Sequence, residues 1–330
     1  MSLVDPVPTR RQVVLDTDTA ADDCFALLAC LLHPAADLKA VTVVAGNVSF
    51  QQQVENALIT IDQSGRGGEV PVFAGCTAPL TRPWRSAAHV HGDGKGGHTW
   101  RRPRQRVEKD HAVNALVTLA ERCRGELDLV CIGPLTNVAA ALILDRELPS
   151  KVRKVYVMGG SNNWRGNITP AAEYNFYADP EAASLVLGAG FDLTIVDWSL
   201  TVRQAVFDDA ERAAIERLGT PLSHFFGVVN GPTLAFNRRV GIDGSTHPDL
   251  LTALCLLEPG IIRRTGRYRV EVETHGSATL GHSVFDWGVL EDPANATVVE
   301  EIDRPAFFDA VLTLLAHDLL AHDPREARRE

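Results

Sequence analysis

The sequence predicts a single α/β domain built on a mostly parallel, Rossmann-like sheet with helices on both faces. Short runs rich in β-branched residues alternate with segments of helical periodicity, an order typical of parallel sheets with crossover helices. Strand segments such as 127–132 are largely apolar, as expected for strands buried on both sides. Neither a repeat nor a low-complexity linker divides the chain, so we expect one domain.

The periodicity of the apolar residues places each element in chain order. Strands are predicted at 12–15, 38–44, 70–74, 127–132, 152–158, 193–196 and 268–274. Helices are predicted at 22–32, 52–63, 111–123, 135–144, 180–187, 208–217, 224–229, 250–257 and 305–320. Two segments that lack either pattern are predicted to be long loops, which in compact domains commonly carry function: 82–106 and 231–248.

Composition limits the location and the partners of the protein. The 330 residues carry a net charge of −10 that is spread along the chain, so neither nucleic acid nor an anionic membrane is an expected partner. The six cysteines show no paired spacing and the first residues lack the apolar core of a secretory signal, which predicts a cytoplasmic protein. We expect the domain at 12–322, an N-terminal extension at 1–11 and a charged tail at 323–330.

A cluster of carboxylates follows the first predicted strand, with Asp16, Asp18, Asp22 and Asp23 inside eight residues. Four like charges at one strand end repel each other unless a cation neutralises them. Ligands that are all oxygens select a hard cation such as calcium or magnesium rather than zinc. The sequence therefore predicts a metal site at the mouth of the sheet.

Polar residues and glycines also follow the other predicted strands. In open parallel sheets, ligands bind outside the carboxyl ends of the strands. The residues that arrive at this edge are Gly46-Asn47, the run 133–137 with Thr136, Met158-Gly159-Gly160 and Asp197. A later loop, 166–175, offers two amides and one carboxylate, a mixture of donors and acceptors suited to hydroxyl groups.

The ordered set of these motifs resembles the inosine–uridine-preferring nucleoside hydrolases, which are calcium-dependent enzymes that cut the N-glycosidic bond of ribonucleosides. The resemblance runs from about Val13 to the closing helix. It comprises DTDTAADD at 16–23, Gly46-Asn47 with Asn56-Ala57, HGDG at 91–94, IGPLTN at 132–137, MGG at 158–160, GNITPAAEYN at 166–175, DPEA at 179–182 and Asp249 before LLTA.

The resemblance implies a nucleoside hydrolase fold, a calcium cofactor, a homodimer or homotetramer, and roles for individual residues. A water bound to the metal would be activated by Asp18, the catalytic base. The implied calcium ligands are Asp18, Asp23, Asp249 and the backbone oxygen of Thr136. The implied ribose contacts are Asp22, Asn47, Asn167, Glu173 and Asn175. The nucleobase side is assigned to His91, Met158, Tyr174 and His247, and Asp16 is placed behind the metal ligands.

Three departures from the family pattern bear on the chemistry. Thr19-Ala20 stands where members commonly have Pro-Gly. Pro248 stands directly before the last calcium ligand, where many members have a histidine that protonates the leaving group, and proline has no proton to donate. The segment 231–248 lacks the tyrosine often found there, so the resemblance leaves purine and pyrimidine preference open.

Two other functions remain alternatives. An apolar strand followed by Asp16-Thr17-Asp18-Thr19 also fits the haloacid-dehalogenase phosphatases, with Asp16 as nucleophile, although the downstream lysine and acidic pair of that fold are not found. A non-catalytic nucleoside- or sugar-binding protein on the same scaffold is the second alternative, and Pro248 keeps it open. Ribose release, phosphate release and binding without turnover distinguish the three.

Overall fold

The structure, a computed structural model, describes residues 10–317. The tail predicted at 323–330, and most of the extension predicted at 1–11, lie outside the described residues. The closing helix predicted at 305–320 ends at Leu315 in the structure, and positions 318–320 lie outside the described residues. The observations below concern the described part of the chain.

The strands fall into one large sheet and a short two-stranded ribbon. In chain order they are β1 (Arg11–Thr17), β2 (Ala36–Val43), β3 (Val72–Ala74), β4 (Leu127–Cys131), β5 (Val152–Met158), β6 (Leu193–Val196), β7 (Val206–Phe207), β8 (Ser245–Thr246), β9 (Ile262–Val272), β10 (Ser283–Asp286) and β11 (Ala296–Ile302). The large sheet has the order β10-β9-β11-β6-β5-β4-β1-β2-β3, and β7 pairs with β8. In this nine-stranded sheet, β9 alone runs opposite to the other strands, so the predicted mostly parallel sheet is confirmed.

Helices connect the strands and cover the sheet. They are α1 (Asp23–Leu32), α2 (Phe50–Gln63), α3 (Ala88–His91), α4 (Ala112–Cys123), α5 (Thr136–Leu144), α6 (Leu148–Lys151), α7 (Tyr174–Ala178), α8 (Pro180–Leu187), α9 (Trp198–Gln204), α10 (Asp209–Glu216), α11 (Pro221–Val229), α12 (Gly231–Arg239), α13 (Pro248–Leu257) and α14 (Arg304–Leu315), with a 3₁₀ turn at Pro259–Ile261. No helix within residues 10–317 is both long and apolar enough to cross a bilayer.

Successive side chains of β1 point to opposite faces of the sheet, and each face carries one layer of the core. Val13 and Leu15 point to one face of the sheet and pack with apolar residues of α1, α2, α13 and α14. Val14 points to the other face and packs with apolar residues of α4, α5 and α8. Both faces of β1 are therefore dry, and polar groups on this strand can reach a ligand only at its carboxyl end.

One predicted loop proved wrong. The segment 231–248 contains α12 and β8 instead of irregular backbone. Its helix begins with Gly231-Pro232 and is poor in apolar residues, so the usual helical pattern is weak, yet Pro232 suits the first turn of a helix. The edge strand β10 and strand β11 were also missed by the sequence pattern.

Candidate active site

The sheet has a topological switch point beside β1. The chain places β2 and β3 on one side of this strand, and β4, β5 and β6 on the other. Helices that follow β1 and β4 therefore lie on opposite faces, and the carboxyl ends of these two strands open a crevice between them. A cavity of about 380 Å³ lies at this edge, where Ile132 after β4 and Met158 at the end of β5 line its wall.

The loop that follows β1 holds its carboxylates in a constrained backbone. Ala21 adopts a left-handed φ of 46°, which is uncommon for a residue with a side chain, and its N–H donates to the carbonyl of Gly94 at 2.9 Å. Asp23 accepts hydrogen bonds from the Thr17 hydroxyl at 2.6 Å and from the Ala20 N–H at 3.1 Å. These contacts fix the turn that carries Asp22 and Asp23 away from the strand.

Asn47 connects the carboxylates to the cavity wall. Its backbone N–H donates to Oδ2 of Asp18 at 2.8 Å, and its side-chain Nδ2 donates to Oδ2 of Asp23 at 3.2 Å. The other oxygen of Asp18, Oδ1, is buried without a hydrogen-bond partner. A buried carboxylate oxygen without a donor is costly, so this atom points to a missing ligand.

Asp16 lies behind these groups. Its Oδ1 accepts from the Thr42 hydroxyl at 2.6 Å and from Nδ2 of Asn137 at 2.8 Å, while Oδ2 has no partner. Asp16 is 1% exposed and does not line the described cavity. The side chain therefore supports the residues around it rather than facing a substrate.

Asp249 comes from a distant segment and joins the cluster through Asp22. Oδ2 of Asp22 accepts the backbone N–H groups of Asp249 at 2.7 Å and of Leu250 at 3.2 Å, which are free donors in the first turn of α13. Asp22 thus caps this helix from another part of the chain. The cap brings the Asp249 side chain to the cavity, which both residues line.

Burial and mutual repulsion raise the pKa values of the clustered acids. Burial, followed by the charge of Asp23, raises the pKa of Asp18 well above its usual value. Burial raises the pKa of Asp23 to about 6, and that of Asp16 to about 7. The pKa of Asp249 is also well raised, first by burial and then by the nearby acids. A bound cation would reverse these shifts because it favours the ionised form.

The donor set fits a hard cation, although the acids do not form a ready-made cage. Among residues 10–317, no group of three or more His, Cys, Asp or Glu side chains is already arranged around a metal position. In the same part of the chain, no lysine or arginine forms an ion pair with Asp18, Asp23 or Asp249. The Thr136 hydroxyl donates to Oδ2 of Asp179 at 2.7 Å, which ties this side chain to α8, and the backbone oxygen remains the candidate ligand. Oxygen donors with uncompensated charge suit calcium.

The five predicted ribose contacts all line the same cavity. Oε1 of Glu173 accepts the N–H of Asn175 at 2.9 Å, and burial raises the pKa of Glu173 to about 7. Nδ2 of Asn175 donates to the carbonyls of Ile132 and Met158, which leaves its Oδ1 to accept from a ligand. Oδ1 of Asn167 accepts the N–H of Tyr174 at 2.8 Å, which leaves its amide group to donate. The cavity-lining members of the set are Asp22, Asn47, Asn167, Glu173 and Asn175.

Three of the four residues assigned to the nucleobase side line the cavity: His91, Met158 and Tyr174. Nδ1 of His91 is buried without a partner, and burial lowers the pKa of its ring to about 4, so the ring is neutral at neutral pH. The Tyr174 hydroxyl donates to the carbonyl of Arg85 at 2.7 Å and is committed to the protein.

The structure does not bring the fourth residue, His247, to the cavity. Its side chain is 0% exposed and does not line the described cavity, because both ring nitrogens are bonded within the protein. Pro248 lines the cavity in its place. His247 precedes the first turn of α13, and Pro248 and Asp249, which begin that turn, are the residues that line the cavity.

Sequence reasoning missed two polar residues that face the cavity from α12. Thr233 and Asn237 are four positions apart, and both line it. Nδ2 of Asn237 donates to the Gly244 carbonyl at 2.9 Å, and the Thr233 hydroxyl is buried without a partner. Their spacing places them on one face of a helix, but this signal is useful only once the segment is recognised as helical.

Comparison with protein families agrees with this geometry. A family model described as inosine-uridine preferring nucleoside hydrolase matches residues 13–309. The chain is 34% identical over 312 residues to a pyrimidine-specific ribonucleoside hydrolase, RihA, of Photobacterium profundum, covering 93% of this chain and 99% of the relative. It is 33% identical over 305 residues to a pyrimidine-specific ribonucleoside hydrolase, RihB, of Escherichia coli O157:H7, covering 92% and 96%.

Solved structures show the same architecture. A plant nucleoside hydrolase, PpNRh1, superposes with a TM-score of 0.87 at 26% identity, over 93% of this chain and 99% of the other. A purine-preferring ribonucleoside hydrolase from Gardnerella vaginalis superposes with a TM-score of 0.86 at 26% identity, over 93% and 98%. The predicted fold is confirmed over nearly the whole described chain.

Proposed function

Because this chain belongs to the inosine–uridine-preferring nucleoside hydrolase family and is an N-glycosyl hydrolase, we propose that it releases ribose from ribonucleosides with calcium as its cofactor. One observation carries the proposal. Asp249 and the five residues suited to hydroxyl groups line one cavity of about 380 Å³, and one of the five, Asn47, is hydrogen-bonded to Asp18 and Asp23, which are buried and do not themselves line it. That combination matches a metal ion and a sugar held side by side.

The calcium site in this proposal consists of Asp18, Asp23, Asp249 and the backbone oxygen of Thr136. Calcium, when bound, would lower the pKa of a water molecule and offset the charge of the acids. The partnerless Oδ1 of Asp18 supports a cation here, as does the lack of a lysine or arginine ion pair to Asp18, Asp23 or Asp249 among the described residues.

Asp18 acts as the general base in this mechanism. The hydrogen bond from the Asn47 N–H holds Oδ2 of this carboxylate in place and leaves Oδ1 without a partner inside the protein.

The sugar is held by the cavity-lining acids and amides while the N-glycosidic bond breaks. As in other glycosyl hydrolysis, the sugar approaches an oxocarbenium ion, whose positive charge nearby carboxylates stabilise. Hydroxyl groups held by Asn167, Glu173 and Asn175 keep the anomeric carbon in line with the water. Pro248 cannot donate a proton to the departing base, so other polar residues of the cavity lining, such as His91, Thr233 and Asn237, are the candidates to stabilise it.

The alternative phosphatase mechanism has less support. It requires Asp16 as the nucleophile, but Oδ1 of Asp16 is bonded to Thr42 and Asn137, and the residue is buried and does not line the cavity. A homodimer or homotetramer and a cytoplasmic location remain predictions from the sequence.

A nucleoside panel tests the proposal. The purified protein is incubated with calcium and inosine, guanosine, adenosine, uridine or cytidine, and free ribose is measured as reducing sugar. We expect ribose from at least one nucleoside. Tight nucleoside binding without ribose would support the non-catalytic alternative, and phosphate release from a sugar phosphate would support the phosphatase.

A methyl group at Gly46 should disable the site without touching the substrate. A Cβ at this position would lie 1.9 Å from Oδ2 of Asp18, so alanine must displace the carboxylate. Because misplacement of a catalytic group by about 1 Å can cost about 100-fold, we expect Gly46→Ala to lower kcat/KM at least that much. Gly227→Ala is the matched control, since its Cβ would meet nothing within 4 Å. Equal activity of the two variants would contradict this role of Gly46.

A further inference from the structure

His247 is enclosed between two aromatic rings. Phe207 of β7 stacks on one side with a centroid distance of 4.4 Å and an interplanar angle of 28°. Phe226 of α11 stacks with a centroid distance of 5.1 Å and an angle of 30°. Because the ring faces are covered and the residue is 0% exposed, only the ring edge can make polar contacts.

Both nitrogens on that edge are engaged inside the protein. Nδ1 lies 2.8 Å from Oδ1 of Asp22, and Nε2 lies 2.8 Å from the Ser245 hydroxyl. An ionised carboxylate can only accept, so Nδ1 is the donor to Asp22. No nitrogen is left to reach a departing nucleobase, which removes His247 from the acids available for that step.

Asp22 receives three donors from this side of the site. His247 donates to Oδ1, and the N–H groups of Asp249 and Leu250 donate to Oδ2. A carboxylate accepts about four hydrogen bonds, so about one acceptor position remains free. Because Asp22 is 4% exposed and lines the cavity, this position is available to a ligand there.

We propose that His247 is a positioning residue, which orients the free acceptor position of Asp22 toward a sugar hydroxyl. The inference deepens the proposed function and rests on it. The two N–H groups of α13 hold only Oδ2, so without His247 the carboxylate can rotate while the helix stays capped. Ser245 completes the arrangement because its hydroxyl fixes the far side of the ring.

The kinetic test compares two variants. His247→Leu places an apolar side chain without a donor at this position, and His247→Asn has an amide nitrogen that can replace Nδ1 as the donor. His247→Leu removes a hydrogen bond to a charged group, and the loss of such a bond is costly. We therefore expect His247→Leu to lower kcat/KM for a hydrolysed nucleoside by about 10- to 100-fold. His247→Asn should recover activity to within about 5-fold of the wild type. Equal losses in the two variants would overturn the proposal.

A double-mutant cycle separates positioning from a merely structural effect. In an Asp22→Ala background, His247→Leu should change kcat/KM by less than about 2-fold, because the acceptor side chain is gone. The same loss in both backgrounds would overturn the proposal. If His247→Leu does not fold, Ser245→Ala takes its place in the cycle. Its effect on kcat/KM should then likewise be smaller in the Asp22 variant than in the wild type.

The failure of the proposed function would be distinguishable from the failure of this inference. If the wild type released ribose from no nucleoside, the proposed function would fall, and the cycle would then be measured on ribose affinity by calorimetry. Additive effects on ribose affinity, or on kcat/KM in an active wild type, would overturn the positioning role of His247.

Discussion

Asp18→Asn is expected to lower kcat by about 100- to 10,000-fold, the range of a lost general base. Asparagine keeps the shape of the side chain and can still accept the hydrogen bond from the Asn47 N–H, so the local fold should survive. Its amide cannot take a proton from water. Steady-state rates of ribose release at saturating nucleoside, with calcium present, measure the effect.

The matched control is Asp128→Asn. Asp128 is also a 0% exposed aspartate on the sheet, but it lies near the start of β4, at the edge opposite the cavity, where it pairs with Arg11 and Arg153. Its loss should reduce thermal stability and leave kcat within a few-fold. If Asp18→Asn kept wild-type kcat while folded and calcium-bound, Asp18 would not be the base.

Removal of calcium should abolish activity and lower the melting temperature. A ligand at about 100 times its Kd stabilises the folded state by about 2.7 kcal/mol. With an unfolding entropy of about 2.1 cal/mol/K per residue, that corresponds to about 4 °C for a chain of 330 residues. Scanning calorimetry with calcium or with a chelator, beside the ribose assay, provides both readouts.

Two variants test whether the effect of calcium on the melting temperature arises at the proposed site. Asp249→Asn should weaken calcium binding and remove most of the shift in melting temperature, because it takes one charged oxygen donor from the site. Asp197→Asn is the control, since this buried acid follows β6 and bonds Ser199 and Leu200 of its own helix. An unchanged melting temperature and undiminished activity in chelator would contradict the calcium proposal.

Some elements were predictable because their signals are local. The strands Val152–Met158 and Leu193–Val196 and the helix Pro180–Leu187 have the predicted bounds, since continuous apolar runs and a proline in the first helical turn mark them. Helix α12 was not predictable in this way. Its apolar residues are few, and its stability in the fold comes from packing rather than from its own pattern.

The candidate site also has parts that the sequence predicts and parts that it does not. The strand-end acids and the loop 166–175 are visible in the sequence, because a parallel sheet brings all its carboxyl strand ends to one edge. The cavity position of Asn167, Glu173 and Asn175 agrees with that expectation, while their roles toward ribose remain to be tested.

The sequence by itself determined the parallel α/β architecture and the acid-rich edge where ligands bind. Only the tertiary structure decided which way the His247 side chain points, and that Asp22 accepts hydrogen bonds from the first turn of α13. Those partners are separated by 225 residues or more, so their hydrogen bonds depend on the packing of Phe207 and Phe226 around the ring and on the approach of two distant helices. Local periodicity carries no information about such contacts, because it records which face of an element is apolar and not which element it meets.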